Sequence, residues 1–181
     1  MKNTFVFTGS GGQGIMSAGI TLAHTAIEMN KHATYLPEYG PEQRGGSAKC
    51  TVVISDDEII SPLPLKCDNL IVMNEQALRK FGDTLKEGGL MILNSSRVTE
   101  PPERDDIKVI AAPVDDIAIS LGTVKAANTV LLGILIGATG IVSKETAEES
   151  LKSKFSKKPE VLELNMKALE KGIELGKEYK L

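Results

Sequence analysis

Aromatic residues, cysteines and long apolar runs are all scarce in this chain of 181 residues. Aromatic side chains make up 4% of it and tryptophan is absent, so the core must be built from aliphatic side chains. The hydrophobic share of 41% is nonetheless ordinary for a globular protein, and the length is that of one domain. We therefore predict a single domain over residues 1–181, in which residues 143–181 form a helical carboxyl-terminal portion.

The only two cysteines, Cys50 and Cys67, are too few for an iron–sulfur cluster held by four thiolates. A structural zinc site would need His24 and His32 in addition to the two cysteines, and the spacing of these residues does not suggest one. We expect two buried, reduced thiols and no metal bound by this chain. No arrangement of serine, histidine and aspartate indicates a catalytic residue either.

The charge and hydropathy patterns exclude two classes of partner. A formal net charge of −3 provides no general attraction to nucleic acid or to an anionic membrane. The longest apolar run, Val130 to Ile141, contains three glycines and is too short to cross a bilayer. The apolar stretch Thr4 to Thr8 is short and leads directly into glycines, unlike a secretory signal. We expect a cytoplasmic protein with no nucleic-acid or membrane partner.

Short β-branched runs alternate with stretches of helical periodicity. Strands are predicted at residues 4–8, 33–36, 48–55, 69–73, 90–93 and 108–111, and helices at 13–29, 76–81, 115–122, 126–138, from 143 and at 160–179. The second strand should run parallel to the first, because a helix separates them. Asp56-Asp57 should turn the chain into a hairpin arm at residues 58–60, which makes the sheet mixed. Gly88-Gly89 should form a turn, and Asp115 should cap a helix.

This alternation predicts a three-layer α/β/α domain of Rossmann-like architecture. Its sheet should be mostly parallel but mixed, and its carboxyl-terminal part should be helical.

The glycine-rich run after the first strand is the clearest candidate for a binding site. It reads G-x-G-x-x-G and consists of Gly9, Ser10, Gly11, Gly12, Gln13 and Gly14, between a predicted strand and a predicted helix. Glycines let main-chain N–H groups approach a ligand closely, and the positive end of the following helix points to the same place. The run therefore predicts an anion site, most often for a phosphate. A tight turn that packs helix against strand, without a ligand, is the alternative.

A second loop, at residues 37–46, leaves the sheet at the same carboxyl edge and is rich in proline, glycine and charge. Arg44, followed by Gly45, is placed to face the same anion, because a planar guanidinium suits bidentate phosphate contact. An arginine paired with Glu42 or with solvent is the alternative. Glu38 lies near the position of the ribose-binding acid of dinucleotide-binding domains. A stand-alone NAD(P)-dependent oxidoreductase is therefore one rival function.

At these two loops the chain resembles the gamma subunit of the 2-oxoacid:ferredoxin oxidoreductases. The string from Thr8 to Gly14 is similar to that family's G-x-G-G-Q-G signature, and Tyr39 to Gly46 is similar to its second signature. Val52 to Ile59 fits as well, as does Asn128 ahead of a Val-Leu-Leu-Gly run, so the resemblance covers most of the chain. The form Tyr-Gly-Pro-Glu-x-Arg-Gly-Gly is more similar to 2-oxoglutarate or branched-chain members than to pyruvate members.

The resemblance implies an accessory subunit, inactive alone, of an enzyme that oxidatively decarboxylates a 2-oxoacid, forms the acyl-CoA and reduces ferredoxin. Its partners would be alpha and beta subunits, with a delta or ferredoxin-like subunit as a further candidate. Thiamine diphosphate and iron–sulfur clusters would lie on partner subunits only. Coenzyme A is the ligand that this chain would help to bind, through the glycine loop, Arg44 and Gly45. A structural assembly subunit without a ligand is the second rival.

Overall fold

The computed structural model describes residues 1–41 and 45–179, which form a six-stranded sheet with helices on both faces. The strands are β1 (Lys2–Ser10), β2 (His32–Tyr39), β3 (Ser47–Ser55), β4 (Cys67–Val72), β5 (Leu85–Asn94) and β6 (Lys108–Ala112). The helices are α1 (Ile15–Glu28), α2 (Glu75–Phe81), α3 (Val114–Ser120), α4 (Ala127–Thr139), α5 (Lys144–Lys154) and α6 (Pro159–Glu178).

The sheet is mixed, as predicted, and its strand order is β2-β3-β1-β4-β5-β6. Strand β3 runs antiparallel to both of its neighbours, whereas β1, β4, β5 and β6 are parallel to one another. Strand β2 runs in the direction of β1, which confirms the expected orientation, but β3 lies between them. The carboxyl ends of β1, β4 and β5 therefore meet at one edge of the sheet.

The hairpin arm predicted at residues 58–60 is wrong. Strand β3 ends at Ser55, and the chain then forms bends and irregular structure until β4 begins at Cys67. Pro62 and Pro64 lack the N–H groups that a strand ladder needs, and Ile60 is 97% exposed. The antiparallel strand in the sheet is β3 itself.

The turn predicted at Gly88-Gly89 is also wrong, because both glycines lie inside β5. The pairing of β4 with β5 shifts register here, so the two glycines mark a bulge. Gly88 has a φ of 73°, which L side chains rarely adopt. A Cβ atom on Gly89 would lie 2.6 Å from Cδ1 of Leu85.

The two faces of the sheet carry unequal layers. Helices α1, α3, α4, α5 and α6 pack on one face, and α2 alone packs on the other. Alternate residues of β1 follow this division, since Phe5 and Phe7 join the larger core and Val6 joins the smaller one. The predicted three-layer α/β/α architecture is confirmed, with one thick and one thin helical layer.

Helix α4 is buried along nearly its whole length, as its continuous apolar pattern predicts. It is covered by the sheet on one side and by α6 on the other. Within the described ranges, no helix combines the length and the apolar character that crossing a membrane requires.

Helices α4 and α6 touch through their backbones. Gly133 and Gly137 on α4 face Gly172 and Gly176 on α6. A Cβ atom on Gly137 would lie 2.3 Å from the carbonyl oxygen of Ile173, closer than real Cβ atoms come to any neighbour. Pairs of glycines four residues apart let helices approach this closely, so they determine where α6 lies.

We expect Gly137→Ala to lower the free energy of unfolding by about 1–3 kcal/mol, because the added methyl group pushes the two helices apart. The higher helix propensity of alanine, about 1 kcal/mol, offsets part of a larger steric cost. Gly82→Ala is the matched control, because Gly82 has a φ of −52° and its added methyl would be 3.6 Å from the nearest atom. Urea denaturation measures both variants, and equal stabilities would contradict this packing.

We also expect both thiols to be inert in the folded chain. Cys50 lies in the larger core and Cys67 in the smaller one, on opposite faces of the sheet, so they cannot pair as a disulfide. Burial raises the pKa of Cys50 to about 12 and that of Cys67 to about 11. Iodoacetamide at about pH 8 should therefore modify neither thiol until urea unfolds the chain. Mass spectrometry of the native protein would refute this if either cysteine were alkylated.

Candidate ligand-binding site at the carboxyl edge of the sheet

The glycine-rich loop is a tight turn that leads into α1 through two residues with a left-handed backbone conformation. Gly12 and Gly14 have φ angles of 91° and 75°, in the region that favours glycine, and α1 begins directly afterwards at Ile15. Gly9 has no room for a side chain, because a Cβ atom there would lie 2.7 Å from Oε1 of Gln13. The backbone path therefore requires glycine at these three positions, whatever the loop binds.

Several main-chain amides of the loop are engaged within the protein. The N–H of Ser10 donates to Oε1 of Gln13 at 2.7 Å, and the N–H of Gln13 donates to the Ser10 carbonyl at 3.2 Å. The N–H of Gly11 donates to the carbonyl of Gly46 at 3.0 Å. The amides of the two left-handed glycines have no acceptor in the described ranges and are therefore candidate donors to an anion.

The carboxamide of Gln13 holds the loop to the connection between β4 and α2. Its Oε1 also accepts a hydrogen bond from Nδ2 of Asn74 at 2.8 Å. Asn74 donates from the same nitrogen to Oγ of Ser10 at 2.9 Å and caps α2 by accepting from the N–H of Ala77. The Gln13 oxygen is thus committed to positioning the loop.

A cavity of about 610 Å³ opens beside this loop at the carboxyl edge of the sheet. That volume is in the range of about 300–1,000 Å³ that small-molecule sites occupy. The polar part of its lining includes Arg97, Asp115, Lys125, Asn128 and Glu160. The apolar part includes Met73, Val124, Phe155, Val161 and Leu164. A ligand in the cavity would therefore meet both the polar residues, which form its polar wall, and the apolar residues, which form its apolar wall.

Three of the predicted site residues line the cavity: Gly12, Gln13 and Gly14. Gly9 and Ser10 belong to β1, and Gly11 does not line the cavity. Gly45 is exposed on the second loop, and its nitrogen is 3.9 Å from the position of a Cβ on Gly11. Arg44 lies outside the described residues.

Glu38 is not placed to bind a ribose in this cavity. Its carboxylate pairs with Nζ of Lys49 at 2.7 Å, and that nitrogen lies 5.9 Å from the ring centre of Phe81 on α2. Both side chains therefore lie on the thin-layer face of the sheet, whereas the cavity lies on the thick-layer face. The NAD(P) alternative consequently lacks the acidic residue that it requires at the ligand.

A buried carboxylate forms part of the polar wall. Asp115 is 7% exposed, and its Oδ1 accepts a hydrogen bond from Nδ2 of Asn94 at 2.7 Å. Its Oδ2 accepts a hydrogen bond from Nε of Arg97. The predicted capping role of Asp115 is wrong, because the residue lies inside the first turn of α3 and its oxygens serve these two partners. The oxygen that accepts from the N–H of Val114 belongs to Asn94 instead.

Asn128 of α4 holds the loop from the other side. Its Nδ2 donates to the carbonyl of Gly14 at 3.1 Å. A Cβ atom on Gly14 would lie 2.8 Å from Cγ of Asn128, so the asparagine is seated where only glycine leaves space. This single contact therefore fixes the position of the start of α1 relative to the start of α4.

Lys154, at the end of α5, is a partly buried cation beside α1. Its Nζ donates to the carbonyl of Ser17 at 3.1 Å and to Oγ1 of Thr21 at 2.9 Å. Burial lowers the pKa of this ammonium group. The contacts place the neighbouring Phe155, together with Ser17, in the lining of the cavity.

Sequence reasoning does not single out Asn94, Arg97 or Lys154. The one available signal is position, because Asn94 ends β5 and Arg97 follows shortly after, at the edge where ligands gather in open α/β sheets. Apart from Ser96, which bonds to Asn94, the side-chain partners of these three residues are distant in sequence.

Residues 4–175 match the model of the pyruvate ferredoxin/flavodoxin oxidoreductase family. The 2-oxoglutarate synthase subunit KorC of Methanocaldococcus jannaschii is 39% identical over 98% of this chain and 96% of its own length. The ketoisovalerate oxidoreductase subunit VorA of Methanothermobacter thermautotrophicus is 37% identical over 94% of this chain, but over only 35% of its own length. The chain thus spans about a third of VorA and nearly all of KorC.

Two solved structures share the fold. The gamma subunit of a keto/oxoacid ferredoxin oxidoreductase from Geobacter sulfurreducens has a TM-score of 0.85 and 35% identity, over 97% of this chain and 99% of that one. The 2-oxoglutarate:ferredoxin oxidoreductase from Magnetococcus marinus, with 2-oxoglutarate, coenzyme A and succinyl-CoA bound, has a TM-score of 0.91 and 26% identity, over 98% of this chain and 31% of that one. These likenesses confirm the predicted fold class and the resemblance to gamma subunits. The chain belongs to the pyruvate ferredoxin/flavodoxin oxidoreductase family.

Proposed function

We propose that this chain is the gamma subunit of a 2-oxoacid:ferredoxin oxidoreductase and helps to bind coenzyme A in the cavity beside the glycine loop. Larger partner subunits would convert the 2-oxoacid to its acyl-CoA and transfer electrons to ferredoxin. The observation that carries the proposal is the cavity, in which free glycine amides lie beside an apolar lining.

The phosphates of coenzyme A suit the free glycine amides and the cations Arg97 and Lys125 of the lining. The amides of Gly12 and Gly14 lie at the positive end of α1, where phosphate groups are favoured. Arg44 and Gly45 remain proposed contacts from the second loop. The uncharged parts of coenzyme A would pack against Val124 and Leu164 on the apolar wall.

This chain would contribute binding and assembly, with the redox cofactors held elsewhere. Its two cysteines lie on opposite faces of the sheet, which supports the placement of the iron–sulfur clusters on partner subunits. Thiamine diphosphate would be bound there as well, by the alpha and beta subunits. A delta or ferredoxin-like subunit is a further candidate partner, and ferredoxin would be the acceptor of the complex.

An exposed apolar loop supports an assembly role. Ile60, Leu63 and Leu65 are 97%, 66% and 100% exposed between β3 and β4. VorA and the Magnetococcus chain are longer polypeptides, and the region similar to this chain makes up 35% and 31% of their lengths. Assembly alone, without a ligand, would leave the cavity unexplained.

We propose 2-oxoglutarate as the 2-oxoacid. The KorC relative has nearly the length of this chain and is named as a 2-oxoglutarate synthase subunit. Identities of 39% to KorC and 37% to VorA are close, so a branched-chain 2-oxoacid is the alternative substrate.

Coexpression with candidate alpha and beta subunits should yield a complex that contains this chain on size-exclusion chromatography. The complex should reduce methyl viologen with 2-oxoglutarate and coenzyme A, and the chain alone should not. Pyruvate and 2-oxoisovalerate in place of 2-oxoglutarate test the substrate. A chain that stays monomeric with every partner, or a complex equally active without it, would refute the proposal.

The substitution Val124→Glu should raise the KM of the complex for coenzyme A about tenfold, equivalent to about 1.4 kcal/mol, because a carboxylate replaces an apolar contact with coenzyme A and adds repulsion toward its phosphates. The matched control is Ile119→Glu, which introduces the same charge at a 58% exposed apolar residue of α3 that does not line the cavity. Steady-state kinetics with coenzyme A as the varied substrate measures both. Equal KM values for the two variants would contradict the proposal that coenzyme A binds in this cavity.

A further inference from the structure

We infer that Arg97 is a phosphate-binding residue of the cavity, and that Asp115 and Asn94 position its guanidinium. The inference rests on the proposed coenzyme A function and assigns a cation to the polar wall. It starts from the fact that Arg97 lines the cavity while its side chain remains 47% exposed.

The guanidinium of Arg97 is held by one nitrogen only. Its Nε donates to Oδ2 of Asp115, and neither terminal nitrogen has an acceptor in the ranges that the structure describes. A guanidinium has five N–H groups in a planar fork. The four N–H groups of the terminal nitrogens are therefore available to bind a phosphate oxygen pair.

A second arginine of the same chain shows what a purely structural pair looks like. Arg104 binds Asp106 through both Nε and Nη2, at 2.8 and 2.6 Å, and its Nη1 donates to the carbonyl of Leu85 at 3.2 Å. The protein uses all three of its nitrogens. Arg97 differs because it lines the cavity, is anchored at one nitrogen and leaves the other two without an acceptor in the described residues.

The anchor of Arg97 is rigid. Asp115 is buried, and Asn94 behind it is fully buried and occupies the other carboxylate oxygen at 2.7 Å. Asn94 is itself fixed, because its Oδ1 accepts from the N–H groups of Ser96 and Val114 at 3.2 Å each. Each carboxylate oxygen therefore has one dedicated partner, and the guanidinium is oriented before any ligand arrives, which favours binding.

The test uses the assembled complex and two variants of this chain. Asp115→Asn keeps an oxygen for Asn94 but replaces the acceptor of Arg97 by an amide donor. The double variant Arg97→Ala/Asp115→Asn removes the guanidinium without leaving a buried carboxylate unpaired. We expect the double variant to raise the KM for coenzyme A about tenfold and Asp115→Asn to raise it severalfold. The increase should appear in the KM for coenzyme A and not in the KM for the 2-oxoacid, a split that a merely structural role does not predict.

Arg79→Ala is the matched control, because this arginine is exposed on α2 at the other face of the sheet. The same measurements with 3′-dephospho-coenzyme A identify the phosphate. A KM increase confined to coenzyme A assigns Arg97 to the 3′-phosphate, and an equal increase for both ligands assigns it to the pyrophosphate.

An unchanged KM for coenzyme A in the double variant would overturn the inference. If Val124→Glu still raised that KM, the coenzyme A site would stand and only the role of Arg97 would be lost. If neither change affected it, the proposed coenzyme A function would fail as well.

Discussion

The contact between Gly14 and Asn128 determines the geometry of the whole site. The Asn128 side chain of α4 packs against Gly14, which has a left-handed backbone and no Cβ atom to block the approach. The contact thereby fixes the start of α1 relative to α4. Helix α4 in turn touches α6 through paired glycines, and the first turns of α6 supply Val161 and Leu164 to the apolar wall. One contact through the Asn128 side chain and one between helix backbones thus link the glycine loop, α4 and the apolar residues of α6, so a displacement of one of these elements is transmitted to the others.

The glycine loop is only partly available to a ligand. Gln13, which the motif suggests as a donor to an anion, holds the loop to Asn74, and the amides of Ser10 and Gly11 are engaged within the protein. The main-chain donors that remain carry partial charges rather than a full one. A cation that is oriented in advance, as Arg97 is by Asp115, would consequently strengthen the binding of a phosphate in this cavity. This arrangement requires a buried carboxylate, which is tolerated only when the carboxylate is paired.

Local patterns predict the elements better than their arrangement. β-Branched runs and helical periodicity place β1, β4 and α4 within a few residues of their observed positions, because those signals lie within each element. The position of β3 between β1 and β2 is not predictable in this way, since periodicity does not specify which strands pair. The Gly88-Gly89 bulge is misread as a turn because both structures use glycine in the same backbone region. Asp115 is misread as a cap because its partners, Asn94 and Arg97, come close only through the fold.

The candidate ligand site and the exposed apolar loop lie at opposite edges of the sheet. The cavity is at the carboxyl ends of β1, β4 and β5, whereas the segment with Ile60, Leu63 and Leu65 joins the end of the antiparallel β3 to the start of β4, at the amino edge. A partner that covers the apolar loop therefore need not cover the cavity. Because neither set of residues packs into the other, the proposed roles in assembly and in ligand binding are structurally separable. That separation suits the proposed function, in which a complex holds this chain through one end of the sheet while the other end helps to bind coenzyme A.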